Sequence, residues 1–130
     1  MRGLVTGSNG FIGKNLFVHL KELQQFHVIT FTRDDSIDDL HEIVEQSDAV
    51  IHLAGKNRPQ EMSDFEMFNV GLTQSLCDAI SNTGRKIPLV LASSIQVDQG
   101  TPYGNSKLAV EKAVEALARN TGNPCYVYRL

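Results

Sequence analysis

The tightest constraint on what this chain can fold into lies at its front. A short apolar run, Gly3–Thr6, breaks at Gly7 and passes at once into Gly7-Ser8-Asn9-Gly10-Phe11-Ile12-Gly13, a G-x-x-G-x-x-G run that opens a helical pattern. A strand, a glycine turn and a helix in that order make a βα unit suited to a pyrophosphate. The first glycine permits the tight turn, the second lets backbone approach the phosphates, and the third lets helix and strand pack closely. The helix N-terminus adds unbonded N–H groups and partial positive charge. A glycine pattern alone is weak evidence, but here the strand–turn–helix context is present. Gly7, Asn9, Gly10, Phe11, Ile12 and Gly13 are the expected dinucleotide contacts.

The rest of the chain repeats the alternation. Phe26–Thr32, Asp48–Ala54, Ile87–Ser94 and Pro124–Leu130 read as further strands, being apolar and rich in β-branched residues. Phe11–Gln24, Ser36–Gln46, Ser63–Thr83 and Tyr103–Arg119 carry apolar residues at helical spacing. Ser36 is placed to cap its helix, and Gly84 to end the one before it. Strands alternating with helices give a doubly wound parallel sheet of the Rossmann type, with helices on both faces and right-handed crossovers. Arg33 leads almost directly into the Ser36 helix, so five strands are expected, in order 2-1-3-4-5. The site should lie at the reversal between strands 1 and 3.

With 130 residues, the chain is expected to be one dinucleotide-binding domain. Its end in or just after an apolar strand suggests a fragment, with a substrate domain and any further domain outside it. A net charge of −3 with no basic cluster argues against nucleic-acid binding. No run approaches the ~18 apolar residues of a membrane span, and the N-terminus does not read as a signal peptide. Cys77 and Cys125 form no CxxC, so a cytoplasmic protein with reduced thiols is the expectation. His19, His27, His41 and His52 show no ligand spacing, and no metal site is expected.

The end of the second strand selects the cofactor. An acidic residue there, ~20 residues beyond the glycines, would bind ribose hydroxyls and favour NAD. This chain has Thr32-Arg33 instead. A guanidinium suits a 2′-phosphate, because it donates bidentate bonds and keeps its charge. NADP is therefore the expected cofactor, with NAD the alternative, since Asp34 or Asp35 could neutralise Arg33 or bind the ribose.

Tyr103-Gly104-Asn105-Ser106-Lys107 is a Tyr-x-x-x-Lys, one helical turn apart, so both side chains share a face. An ammonium beside a phenol favours the phenolate and lowers its pKa. Such a tyrosine can give a proton to a carbonyl oxygen as hydride arrives. Ser94, at the carboxyl end of a strand, can hydrogen-bond the same oxygen. Lys56-Asn57-Arg58 follows a strand at the ligand-facing edge, so Asn57 and Arg58 are candidates for a sugar-nucleotide or cofactor phosphate, with a solvated loop the plain alternative. His52 is read as packing or positioning near the cofactor. Cys77 falls on an apolar helix face and is expected in the core.

These motifs together resemble the extended short-chain dehydrogenase/reductases, the NAD-dependent epimerase/dehydratase family. The likeness spans TGSNGFIG at 6–13, VIHLAG at 50–55, NVGLT at 69–73, Ser93-Ser94, YGNSKLAVE at 103–111 and the strand ending YRL. The resemblance implies that Ser94, Tyr103 and Lys107 are catalytic, Ser94 rather than Ser93 because it stands three residues before Val97. It implies cofactor contacts at Leu53, Ala54, Gly55, Tyr103 and Lys107, a substrate-facing Asn69, and pairing of two copies through helices 63–83 and 103–119.

Departures narrow the activity. Dehydratases of the family carry Thr-Asp-Glu at the catalytic strand end, where this chain has Ser94-Ile95-Gln96. Its epimerases usually carry the acidic residue that selects NAD. HLAGKNRP at 52–59, SSIQ at 93–96 and PYGNSKL at 102–108 are similar to capsule and O-antigen reductases of the CapF/WbjC type. That likeness implies NADPH-dependent reduction of a UDP-linked 4-keto deoxyhexulose, in a pathway leading to UDP-N-acetyl-L-fucosamine, with a C-terminal cupin domain elsewhere. An NAD-dependent nucleotide-sugar 4-epimerase and a non-catalytic dinucleotide-binding module are the alternatives.

Overall fold

The computed structural model describes residues 1–8, 11–32, 34–53 and 70–130, and of Phe11 the backbone only. Asn9, Gly10, Arg33, Ala54, Gly55, Asn57, Arg58 and Asn69 therefore lie outside the described residues.

Five parallel strands form one sheet: β1 (Arg2–Thr6), β2 (His27–Phe31), β3 (Ala49–His52), β4 (Leu89–Ser93) and β5 (Cys125–Arg129), in order β2-β1-β3-β4-β5. This is the expected order, with the reversal between β1 and β3. The register keeps the carboxyl ends level. Thr6 is paired with Phe31 on one side and His52 on the other, and His52 is level with Leu91.

Four α-helices are described: α1 (Phe11–Glu22), α2 (Leu40–Glu45), α3 (Leu72–Thr83) and α4 (Pro102–Thr121). The helix expected over Ser36–Gln46 opens as a tighter 3-10 turn, Ile37–Asp39. Ser36 caps that turn, its side chain accepting from the Asp38 N–H. Of the helix expected over 63–83, the described part is Leu72–Thr83, and it ends at Gly84 in the left-handed conformation. α4 runs slightly past both expected ends. Thr101 caps it through the Gly104 N–H, Pro102 takes the first turn and Gly122 the left-handed exit.

The core lies between the sheet and the α2–α3–α4 side. Leu4, Val50, Leu89 and Leu91 of the strands meet Leu40, Val44, Leu76, Ile80, Val110 and Val114 of the helices, all essentially without exposed surface. Each such side chain contributes on the order of 1.5–3 kcal/mol by leaving water. Cys77 belongs to this core, and burial, chiefly, pushes its thiol up to about 12. Both cysteines are free. β5 closes one edge, with Tyr126, Tyr128 and Leu130 more than half exposed.

Candidate active site

Four strand ends and two helix ends converge on the carboxyl edge of the sheet. At the β1 end the chain turns sharply, with Gly7 at a φ of 72°. Gly13, one turn into α1, is buried against that turn. A Cβ on Gly13 would overlap the Gly7 carbonyl oxygen and come within 2.7 Å of the Ser8 Cα. Helix and loop thus approach as closely as a phosphate-binding turn requires, which is the role of the third glycine. Ile12 beside it is about half exposed. The residues present fit a dinucleotide whose pyrophosphate rests at the α1 N-terminus.

At the β2 end, Thr32 is held by Asp35. The Thr32 N–H donates to the Asp35 carboxylate at 2.8 Å and the hydroxyl does so at 3.4 Å. The Asp34 N–H in turn donates to the Thr32 hydroxyl oxygen at 3.3 Å. A carboxylate therefore sits folded back on the strand end that faces an adenosine ribose in this fold.

At the β3 end, His52 is fully buried between β1 and α3. Its Nδ1 is 2.6 Å from the Thr6 hydroxyl and its Nε2 is 2.9 Å from that of Thr73. Burial first, and then the nearby positive charge of Lys107, bring its pKa down to about 3, so the ring is neutral. The Leu53 N–H donates to both the Thr6 carbonyl, at 3.2 Å, and its hydroxyl oxygen, at 3.1 Å. His52 thus ties the strand that precedes the glycine turn to the helix beyond the β3 loop.

At the β4 end the two serines part ways. Ser93 lies within the strand with its hydroxyl buried near Glu111, close enough to favour that carboxylate's charge without closing a well-formed hydrogen bond. Ser94 stands just past the strand and caps a 3-10 turn, Ile95–Asp98, accepting from the Gln96 N–H at 3.1 Å. Its hydroxyl also stands near enough to the Tyr103 phenol to favour the phenolate. Since Ser94 Oγ already accepts from backbone, its own proton is available to the phenol oxygen.

Tyr103, in the first turn of α4, is half-buried. Burial raises its pKa, and the nearby Ser94 hydroxyl pulls the other way. The downward pull expected from Lys107 is not among the influences that shift this phenol. Lys107, one turn on, is buried and donates to the Ala92 carbonyl at 3.3 Å, which directs its ammonium to the strand. Burial lowers the Lys107 pKa, and the Glu111 carboxylate raises it.

Two contributors escaped the sequence reading. Gly104 was read only as a spacer between Tyr103 and Lys107, yet a Cβ there would overlap the Gln96 carbonyl oxygen. Its lack of a side chain brings α4 down onto the turn of Ser94. The second is Glu111, buried and held by Arg129. YGNSKLAVE contains Glu111 one turn beyond Lys107, but nothing local in the sequence says that Arg129 will reach it. Among the described residues no cluster of side chains could hold a metal, and no helix is long and apolar enough to cross a membrane.

A glycine turn under a helix N-terminus, with a serine, a tyrosine and a lysine at the carboxyl edge of the sheet, defines a dinucleotide-dependent α/β enzyme domain. The chain belongs to the NAD dependent epimerase/dehydratase family, whose model matches residues 3–130. It is 44% identical over its whole length to a UDP-2-acetamido-2,6-beta-L-arabino-hexul-4-ose reductase of Pseudomonas aeruginosa, covering 35% of that protein. Among solved structures it is similar to the capsular polysaccharide assembling protein CapF of Staphylococcus aureus. The TM-score is 0.84 and the identity 32%, over 99% of this chain and 34% of that one. It also shares the fold of a UDP-glucuronic acid 4-epimerase from Bacillus cereus in complex with NAD. That TM-score is 0.88 at 22% identity, over 99% of this chain and 56% of the other. The chain spans about a third of the length of the reductase and of CapF.

Proposed function

We propose that this chain is the cofactor-binding and proton-transferring part of an enzyme that reduces the 4-keto group of a UDP-linked deoxyhexulose at the expense of NADPH. The observation that carries the chemistry is the Ser94 hydroxyl beside the Tyr103 phenol at the carboxyl edge of the sheet, with Lys107 one turn on. The identity with a UDP-hexulose reductase supports a keto sugar as substrate, and the likeness to a capsular polysaccharide assembling protein supports polysaccharide synthesis as the setting.

A nicotinamide cofactor, when bound, supplies the hydride. Gly7 and Gly13 shape the turn that would take its pyrophosphate, and Asn9, Gly10, Phe11 and Ile12 are proposed as further contacts. Thr32 and Arg33 would meet the adenosine end, and Leu53, Ala54 and Gly55 are proposed as further cofactor contacts. Arg33 supports NADP, whereas Asp35 on the Thr32 N–H is the feature that favours NAD.

Ser94 donates to the sugar carbonyl oxygen and orients it toward Tyr103. The phenol, whose raised pKa keeps it protonated at neutral pH, gives its proton to the oxygen as negative charge develops there. Lys107, held on the Ala92 carbonyl while the phenol is protonated, would hold the ribose and offset the phenolate's charge once it forms. Asn57, Arg58 and Asn69 are proposed to contact the nucleotide sugar. No Asp-Glu pair follows Ser94, where Ile95 and Gln96 stand, so the chain offers no second acid and base there for eliminating water.

The test is consumption of NADPH by the full chain with a UDP-4-keto-6-deoxyhexulose. Tyr103→Phe should abolish it and leave NADPH affinity nearly unchanged. Unchanged turnover in that variant would sink the mechanism.

A further inference from the structure

Tyr103 and Lys107 share their helical stripe with a third side chain. Glu111 follows Lys107 by the same four residues that separate Lys107 from Tyr103. It is 3% exposed, and a carboxylate that deep is costly unless it is paired. Arg129 of β5 supplies the pair as a fork, its Nε and Nη2 donating to the two Glu111 oxygens at 2.9 Å each. A third nitrogen of the same guanidinium lies 3.8 Å from Asp98, at the end of the turn that starts at Ser94. Arg129 is also level with Ser93 in the sheet. One guanidinium therefore joins the edge strand, the helix of Tyr103 and Lys107, and the turn of Ser94.

Lys107 needs such a neighbour. Its ammonium is buried against a neutral carbonyl, which orients it but does not offset its charge. The charged and titratable groups around it are Tyr103 and Glu111 on its own helix, His52 on β3 and Arg129 on β5 beyond Glu111. His52 is neutral, so Glu111 supplies the negative charge that acts on Lys107.

We infer that Glu111, clamped by Arg129, is a positioning residue that keeps Lys107 protonated in its buried setting and seats its helix face against the Ser94 strand end. The catalytic consequence rests on the reductase reading. The effect on Lys107 does not.

The experiment is a pH titration of the Lys107 ammonium by nitrogen-15 NMR in the substrate-free full chain, with the signal assigned by its loss in Lys107→Met. Glu111→Gln should lower the pH at which Lys107 loses its proton by about one unit. Glu111→Asp, which keeps the charge, should restore most of it. Arg129→Gln leaves the carboxylate unneutralised and should move the titration the opposite way. In turnover assays the high-pH limb of kcat should move with Lys107 in each variant. An unchanged titration in both Glu111→Gln and Arg129→Gln, or a shift of the same sign in both, would overturn the inference, because general loosening of the helix would do that. Should Glu111→Gln not fold, Arg129→Gln and Glu111→Asp decide alone. A wild-type chain without turnover would count against the reductase and leave the Lys107 titration to judge Glu111.

Discussion

The Ser94 hydroxyl stands beside the Tyr103 phenol and favours its charged form, although the two residues are on different elements, one following β4 and the other opening α4. The turn between them is short, and its Val97 is buried beneath it. Ser94→Ala removes both the cap on that turn and the partner of the phenol. The expected result is a fall in kcat of about a hundredfold or more, with a loss of about 1 kcal/mol in stability. Steady-state kinetics beside urea unfolding would separate the two.

Gly104 sets how closely α4 approaches that turn. Gly104→Ala places a methyl group against the Gln96 carbonyl, a backbone group, so helix or turn must shift to admit it. It should cost about 1–3 kcal/mol and impair turnover more than cofactor binding. Alanine has the better helix propensity at this position. A stabilised, fully active variant would show that the close approach is not needed.

Gly13→Ala tests the phosphate turn in the same way. Its Cβ would strike the Gly7 carbonyl, so the turn must open. Calorimetric titration should show NADPH and NADH both weakened by tenfold or more, about 1.4 kcal/mol. In the wild type, NADPH should bind more tightly than NADH if Arg33 takes the 2′-phosphate. Tighter NADH would instead assign the adenosine end to Asp35.

His52 gives the fold an acid sensitivity. It is neutral and doubly bonded in the native chain, with a pKa of about 3 against 6.5 for an ordinary histidine. Between those values the unfolded chain binds a proton that the folded one refuses, so stability falls as pH drops from 6.5 toward 3. The loss should reach a few kcal/mol. Urea unfolding across that range should show a steep decline. His52→Gln should be less stable at pH 7 and should decline less steeply over the same window. Parallel curves would mean that His52 does not carry the effect.

Much of this was legible in the sequence because it is local or periodic. The five strands and their order follow from alternating apolar runs, and the glycine turn from its place between strand and helix. Ser36, Gly84 and Thr73's helix lie where capping and periodicity put them. What stayed hidden was contact across elements. Nothing in the spacing of Val97, Gly104 and Gln96 says that a helix backbone will press on a strand-end turn. Likewise, Arg129 reads as the polar end of a strand until the register sets it level with Ser93 and turns it toward Glu111. Lys107 was expected to act on the phenol directly. The fold buries it and gives it to the Ala92 carbonyl, so its charge depends on a carboxylate a turn further on.

The central claim is hydride delivery to a 4-keto sugar with Tyr103 as proton donor. Its most direct measurement is the fate of deuterium from NADPH labelled at the transferable position, with a UDP-4-keto-6-deoxyhexulose and the full chain. The account predicts label at C4 of the reduced sugar, NADPH consumed in step with product, and neither in Tyr103→Phe. A keto sugar left unreduced, or a reduced product without label, would contradict it, and inversion at C4 of a UDP-linked 4-hydroxy sugar without net consumption of cofactor would point instead to an epimerase on this scaffold.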